Sequence, residues 1–470
     1  MAKMLRTAAM VVGAVALVAT GVGAVIGGAV AAGSTIAGSA TFLGVAGTSW
    51  AAIGTFAALG SGVLSVTASL AQPGFTQQGA ATTFQTNPQS GLPYAFGRTR
   101  MSGIRIFAET GNSPGYTKAE DLLFFGALLS AGGQIDAIER FAADGETVSF
   151  NLTTGLATTS TYSNDWMAQK VWTGGAQATG LSLSLNGSAA PGWTSAHRLS
   201  GITHALWALR FDTDGNKYSA GVPEPAWIGR WVKVYDPRLD STYPGGSGPC
   251  RALDESTYVW SRNPPLHALT WALGRWQNGK RVLGIGAPLA TIRFADFVTA
   301  ANVCDANGWT CGGVEYSTDS KWDVFKRMLQ AGGCVPSMSG AMIGCRVNAP
   351  RISVATITSA HLMDGISIAA TKPRRERINS LVPRYRSESH DWEVISARPV
   401  TVPDLVTLDG GIRQRELDLP LVQLEVGQGT DGDLQAGQLC AYAIMNAREA
   451  GPIQWTTGPQ FIGLKSGDCV

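Results

Sequence analysis

Apolar positions fall into two regimes along this chain. Up to about Ala71 they run almost unbroken in two blocks, Met10 to Ala32 and Trp50 to Ser69, and no Asp, Glu, Lys or Arg occurs between Thr7 and Gly97. Beyond Arg98 they come in short groups, alternating or helically spaced, separated by charged and turn-forming residues. In this second regime Leu92 to Arg100 opens a strand-like stretch that continues through Ile104-Arg105-Ile106-Phe107. Leu122 to Leu129 reads as a buried strand ended by Gly132-Gly133. Ile135 to Ile138 leads into Phe141 to Glu146, where Asp144-Gly145 predicts a hairpin, because both turn residues tolerate positive φ. Ser149 to Arg210, rich in Thr, Ser and Gly, predicts further strands. Helical spacing appears at Leu266, Leu269 and Leu273 after Pro264-Pro265. It recurs at Trp322, Phe325 and Leu329, in a helix Asp319 to Gln330 that Thr318 caps and Gly332-Gly333 stops. Leu434 to Glu449 predicts a third helix, ending near Gly451-Pro452. No internal repeat is visible, and the sum is an α+β fold, β-dominated.

The two amino-terminal blocks each reach the ~20 residues needed to span a bilayer. Gly23 and Gly27 lie one helical turn apart, a spacing that lets helices approach closely in an apolar setting. Candidate membrane-interacting residues are Val11, Leu17, Gly23, Gly27, Trp50, Phe56, Leu59 and Leu64. Three readings stay open. Lys3 and Arg6 before an apolar run, with Ala29-Val30-Ala31 after it, outline a secretory signal, although the run exceeds the ~7–15 residues usual for one. A constitutive membrane anchor is the second. The third is an apolar helical hairpin shielded inside an oligomer and able to enter a membrane later. Pro73 to Gln89, rich in Gln, Thr and Gly, reads as a linker.

Composition narrows the function classes. Charged residues make up 15% and the net charge is +2, too little basic surface for tight nucleic-acid binding. Seven widely spaced cysteines do not outline a secreted disulfide scaffold and indicate synthesis in a reducing compartment. Cys304, Cys311, Cys334 and Cys345 allow a metal or cluster, a disulfide, or plain buried thiols. The absence of a C-x-x-C pair favours the last. Asp212-Thr213-Asp214-Gly215-Asn216 has no Glu at the twelfth position of a calcium loop and reads as a turn. His197 and His204 have no carboxylate or Cys at ligand or triad spacing. No HExxH or P-loop occurs, so no enzyme is expected and no cofactor is implied. Lys372, Arg374, Arg375, Arg377, Arg384 and Arg386 form the main basic cluster. They could meet DNA or lipid head groups, but Pro373, Pro383, Ile378 and Tyr385 suit an exposed strand face or subunit contact better. Trp, at fourteen residues, can anchor interfaces, yet most should be core.

Five motifs then occur in order between Leu92 and Leu419. They are Pro93-x-x-x-Gly97-x-x-Arg100-x-x-Gly103, and Gly133-x-Ile135-Asp136-x-Ile138 leading to Asp144-Gly145-Glu146. Next come Lys233-Val234-Tyr235-Asp236-Pro237-Arg238 with Trp260-Ser261-Arg262-Asn263-Pro264. Ala301-Asn302-x-Cys304-Asp305 follows, with Cys311-Gly312-Gly313-Val314 and Trp322 to Gly333, and finally Arg377-Ile378-Asn379-Ser380-Leu381 with Tyr385 and Trp392. This series resembles the central tail-tip (hub) proteins of siphophage tails: the lambda-like host-specificity protein and the gene-transfer-agent hub protein, in a short form without the carboxy-terminal receptor-binding region. The resemblance implies a multi-domain phage tail hub with β-barrel-like domains and a small helical insertion, following an apolar helical amino-terminal segment. The expected division is 1–72 apolar segment, 73–90 linker, 91–240 first β-rich hub domain, 241–350 α+β hub domain, and 351–470 second β-rich hub domain with a carboxy-terminal helix. It also implies a homotrimer made in the host cytoplasm and carried at the virion's tail tip. Such a hub closes the tail tube, contacts other tail-tip and tail-tube proteins and the tape-measure protein, and lets double-stranded DNA pass without sequence specificity. Contact with the host membrane during ejection would fall to the amino terminus. The alternative is an exported or membrane-anchored bacterial envelope protein with a β-rich periplasmic domain.

Overall fold

The computed structural model divides the chain into two compact units, Met1–Thr76 and Gln77–Val470. It describes Phe84 and residues 91–470, except 117–119, 213–214, 219–220, 348–352, 369–375, 426–430, 449–452 and 465–467, and not the side chains of 368 and 431–433. The eight candidate membrane-interacting residues lie outside the described residues. Among the described residues, no helix is long and apolar enough to cross a membrane.

The first part of the second unit is all strand and turn: β1 (Pro93–Phe96), β2 (Arg98–Met101), β3 (Ile104–Gly111), β4 (Leu122–Ser130), β5 (Ile135–Ala143), β6 (Glu146–Val148), β7 (Met167–Thr173), β8 (Ser184–Leu185), β9 (Ser188–Ala189), β10 (Thr203–Arg210) and β11 (Pro225–Val232). A four-stranded antiparallel sheet runs β3-β4-β10-β7. In a second sheet β11 pairs with β1, β2 and β5, and β6 follows β5. The two sheets face one another across a shared core. Met101, Phe141, Trp227 and Trp231 come from one, and Phe125, Met167 and Trp207 from the other. Asp144 and Gly145 sit at φ 48° and 83°, closing the β5–β6 hairpin in the turn that the sequence predicts. Much of Ser149 to Arg210 is instead turn and loop, because its Thr, Ser and Asn side chains bond nearby backbone: Asn151 Oδ1 accepts from Thr153 N and Thr154 N at 2.9 and 3.1 Å.

Next come α1 (Pro264–Leu273), β12 (Arg275–Gln277), β13 (Lys280–Leu283), α2 (Phe294–Asn307), β14 (Gly313–Tyr316), α3 (Lys321–Ala331), β15 (Cys334–Ser339) and β16 (Met342–Val347). Pro264 and Pro265 start α1 where their missing N–H groups cost nothing. Helix α3 buries Val324, Phe325, Met328 and Leu329 and stops at Gly332. Its N-cap is Ser320 rather than Thr318, since Asp319 folds back to accept from Tyr316 N at 2.8 Å. Helix α2 was missed by sequence patterning; its buried stripe is only Phe297, Ala300, Ala301 and Cys304. The three helices enclose the second large core with Leu421 and Val422. Strand β14 pairs along the whole of β1, so it extends the sheet of the first part.

The last part holds β17 (Ser367–Ile368), β18 (Ser380–Ser387), β19 (Glu393–Ser396), β20 (Val400–Thr401), α4 (Pro403–Asp409), β21 (Gln414–Leu424), α5 (Asp431–Arg448) and β22 (Ile453–Gln454). Strand β18 is central, with β19 and β20 antiparallel and β21 parallel to it. Cys440 and Ile444 of α5 pack on Leu381. The fold is thus β-dominated with few helices. The expected barrel-like closure is absent among the described residues: β3 and β7 end one large sheet, β14 and β6 the other. Single bridges, Phe150 to Ala157 and Leu156 to Ala168, connect the walls near β7.

Candidate assembly framework

The motif residues are distant in sequence and meet in space. Asp236 caps a single 3-10 turn, accepting from Arg238 N at 2.9 Å, and its carboxylate also takes Arg238 Nε and Nη2 at 2.9 and 2.8 Å. Arg238 Nη1 reaches Asn302 Oδ1 at 2.9 Å and Asp305 Oδ2 at 2.6 Å on α2. The other Asp305 oxygen accepts from Asn263 Nδ2 at 2.8 Å, which also donates to Ala301 O at 2.9 Å. Three separate segments, around positions 236, 263 and 302, therefore lock the turn, the start of α1 and the end of α2 together.

The glycines of the motifs serve close approach. Gly97, at φ +64°, lies so near the 311–312 backbone that an added Cβ would sit 2.7 Å from Gly312 Cα. A Cβ on Gly332 would meet Cys304 Sγ at 2.9 Å, Pro264 Cβ at 3.2 Å and Pro265 Cδ at 3.2 Å. Cys304 and Cys334 both donate to the Gly332 carbonyl, at 3.6 and 3.1 Å. Hydrogen bonding to Cys334, then burial, drives the Cys304 thiol far up; burial and neighbouring Cys304 raise Cys311, and burial pushes Cys440 up to about 12. These are neutral, buried thiols. Among the described residues no group of three or more His, Cys, Asp or Glu could hold a metal ion.

A second network joins the first and last parts of the unit. Arg98 bonds Glu139 at 2.7 Å and Glu388 at 2.6 Å, with Glu425 at 3.8 Å; Glu425 also pairs with Arg262, and Arg100 pairs with Asp391. The carboxylate of Glu388 is 6% exposed, so removal of Arg98 would leave a buried charge without its shortest ion pair. Gln423 Nε2 donates to Thr99 Oγ1 at 2.9 Å across the same seam.

The basic cluster is corrected by the structure. Lys372, Arg374 and Arg375 lie outside the described residues. Arg384 is buried on the central strand β18 and pairs with Glu416 at 3.1 Å; Arg386 is enclosed and donates to Trp392 O at 2.9 Å. Arg377 lies 3.7 Å from buried Asp409, which Arg448 grips with two nitrogens. Acidic partners on β21 and α4 turn what reads as an exposed strand face into an interior one. Asp212 accepts from Lys217 N and Tyr218 N, as a turn residue does. His197 stacks on Trp193 with ring centroids 4.9 Å apart, and His204 is buried with Nδ1 2.9 Å from Ile202 O. His267, which the sequence did not mark, is fully buried beside Ser261 O; burial pulls its pKa down to about 4.

Comparison of the sequence with protein families gives no match, and comparison with curated proteins gives none either. Among solved structures, a chain of the virion of a native gene transfer agent (GTA) particle is similar at 17% identity and a TM-score of 0.44, over 83% of this chain and 84% of that chain.

Proposed function

We propose that the chain is a non-enzymatic structural subunit of a bacteriophage or phage-like particle, acting as the tail-tip hub. The observation that carries this is the convergence of Asp236, Arg238, Asn263, Asn302 and Asp305 on one hydrogen-bonded knot. Chance matches spread along a sequence have no reason to meet. These residues meet because they hold a framework. In this reading the subunit forms a homotrimer that closes the tail tube and docks tail-tip, tail-tube and tape-measure proteins. It also passes double-stranded DNA during ejection. Its apolar segment beyond Arg6 stays covered in the particle and inserts into the host membrane, with Val11, Leu17, Gly23, Gly27, Trp50, Phe56, Leu59 and Leu64 as contacts.

Localisation and stoichiometry of the chain in purified particles test the proposal. Three copies at the tail tip, each with an intact amino terminus, are expected. A monomeric periplasmic protein cleaved at Ala31/Ala32 would instead establish the envelope reading, which Lys3 and Arg6 before the first apolar block favour. Deleting Val11 to Ser69 should leave assembly and adsorption largely intact and block DNA delivery. Normal delivery by such particles refutes the membrane role.

A further inference from the structure

The wall between the two facing sheets has an opening. A cavity of about 610 Å³ lies among Ile138–Phe141 of β5, residues 149–152 and Gln169–Trp172 of β7. At one end the wall is joined by the Leu156–Ala168 bridge and by Gln169 N donating to Gly155 O at 2.7 Å. Past Gln169 the joining stops. Strand β6 covers β5 only from Phe141 onward, and among the described residues no strand pairs with the cavity-side edges of Ile138–Arg140 or Lys170–Trp172. Unpaired strand edges are templates for another strand.

The lining is built for a polar chain with an acidic group. Gln169, paired across the sheet with Trp207, is 7% exposed, and its Nε2 has no hydrogen-bond partner. A buried donor left unbonded is unfavourable, and a carbonyl entering the cavity would satisfy it. Charge at the rim is uneven. Glu139 is neutralised by Arg98 at 2.7 Å and Arg230 at 3.6 Å. Arg140, however, has Glu388 only at 3.6 Å, and Glu388 is already bonded to Arg98 at 2.6 Å. Lys170 lines the same cavity.

We propose that this opening binds an extended acidic peptide strand of a partner protein, which adds to the edges of β5 and β7 and completes the wall. Backbone groups of the strand pair with the free edges, one carbonyl accepts from Gln169 Nε2, and a carboxylate meets Arg140 and Lys170. Strand addition draws affinity from main-chain hydrogen bonds and specificity from side-chain positions. The inference does not rest on the virion reading, and its test uses the full chain alone.

The probe is a fluorescein-labelled hexapeptide of alternating valine and threonine ending in glutamate, titrated by fluorescence anisotropy. Saturable binding is expected. A lysine-ended counterpart should bind at least tenfold more weakly, and a backbone N-methylated counterpart should not bind. Gln169→Leu, which keeps the packing volume and removes the donor, should weaken binding about tenfold without lowering the thermal midpoint. No saturation at millimolar peptide, equal binding of the N-methylated peptide, or equal binding by Gln169→Leu overturns the proposal. So does concentration-dependent self-association that Gln169→Leu abolishes, since a second copy would then be the occupant.

Discussion

Replacing Gly332 by alanine probes whether the junction of α1, α2 and α3 is as tightly closed as its contacts indicate. The glycine's φ is −98°, so an alanine incurs no backbone strain and the effect is steric alone. The new methyl would lie 2.9 Å from Cys304 Sγ and 3.2 Å from two proline carbons, none of them on a side chain free to swing away. Overpacking of this kind costs about 1–3 kcal/mol, and three simultaneous contacts place the value near the upper end. Cys304→Ala removes the sulfur and leaves a small void, a loss of about 1 kcal/mol. In the double variant the methyl occupies part of that void. The two changes should then cost less together than the sum of the singles, with a coupling of about 1 kcal/mol. Guanidinium unfolding followed by tryptophan fluorescence measures all four corners of the cycle. A stability for Gly332→Ala equal to that of the parent, or additive costs in the double variant, would refute the packing argument.

Arg238→Met leaves the 6%-exposed Asp236 carboxylate with only a backbone donor among its bonds to residue 238. A loss of about 2–4 kcal/mol is expected in the same assay, and adding Asp236→Asn should recover part of it; unchanged stability would show the knot to be ornamental. Gly145→Ala meets no atom within 4 Å and incurs only the left-handed conformation at φ +83°, so about 1–2 kcal/mol should be lost, uniformly across salt concentrations. His267 is held neutral, with its folded pKa pulled from 6.5 down to about 4. Stability from this group is complete above pH 6.5 and declines as pH falls from there toward 4, by about 3 kcal/mol in full. His267→Gln should flatten that slope, and an unchanged pH profile would show that another group sets it.

Sequence patterning located elements whose signal is local. The Asp144-Gly145 turn, the proline start of α1 and the aromatic face of α3 all depend on residues within a few positions of one another. It missed α2 because a stripe of one phenylalanine, two alanines and a cysteine carries little periodic signal. It misjudged Arg384 and Arg386 for a different reason: the carboxylates of Glu416 and Asp418 that neutralise Arg384 sit on a strand about thirty residues on. A basic run looks exposed until its partners are known. The knot at Asp236 was visible as separate motifs, but their meeting depends on tertiary structure.

The seam between Arg98 and Glu388 also bears on the order in which the chain can finish folding. Arg98 and Thr99 lie at the start of the unit and bond residues 290 and 324 positions later. A ribosome delivers those partners long after the opening strands emerge, and β1 must likewise wait for β14. Contacts so distant along the chain slow folding and leave early strands uncovered in the interval. The opening strands are therefore the part of this unit most dependent on protection while translation is under way, and the last to be secured.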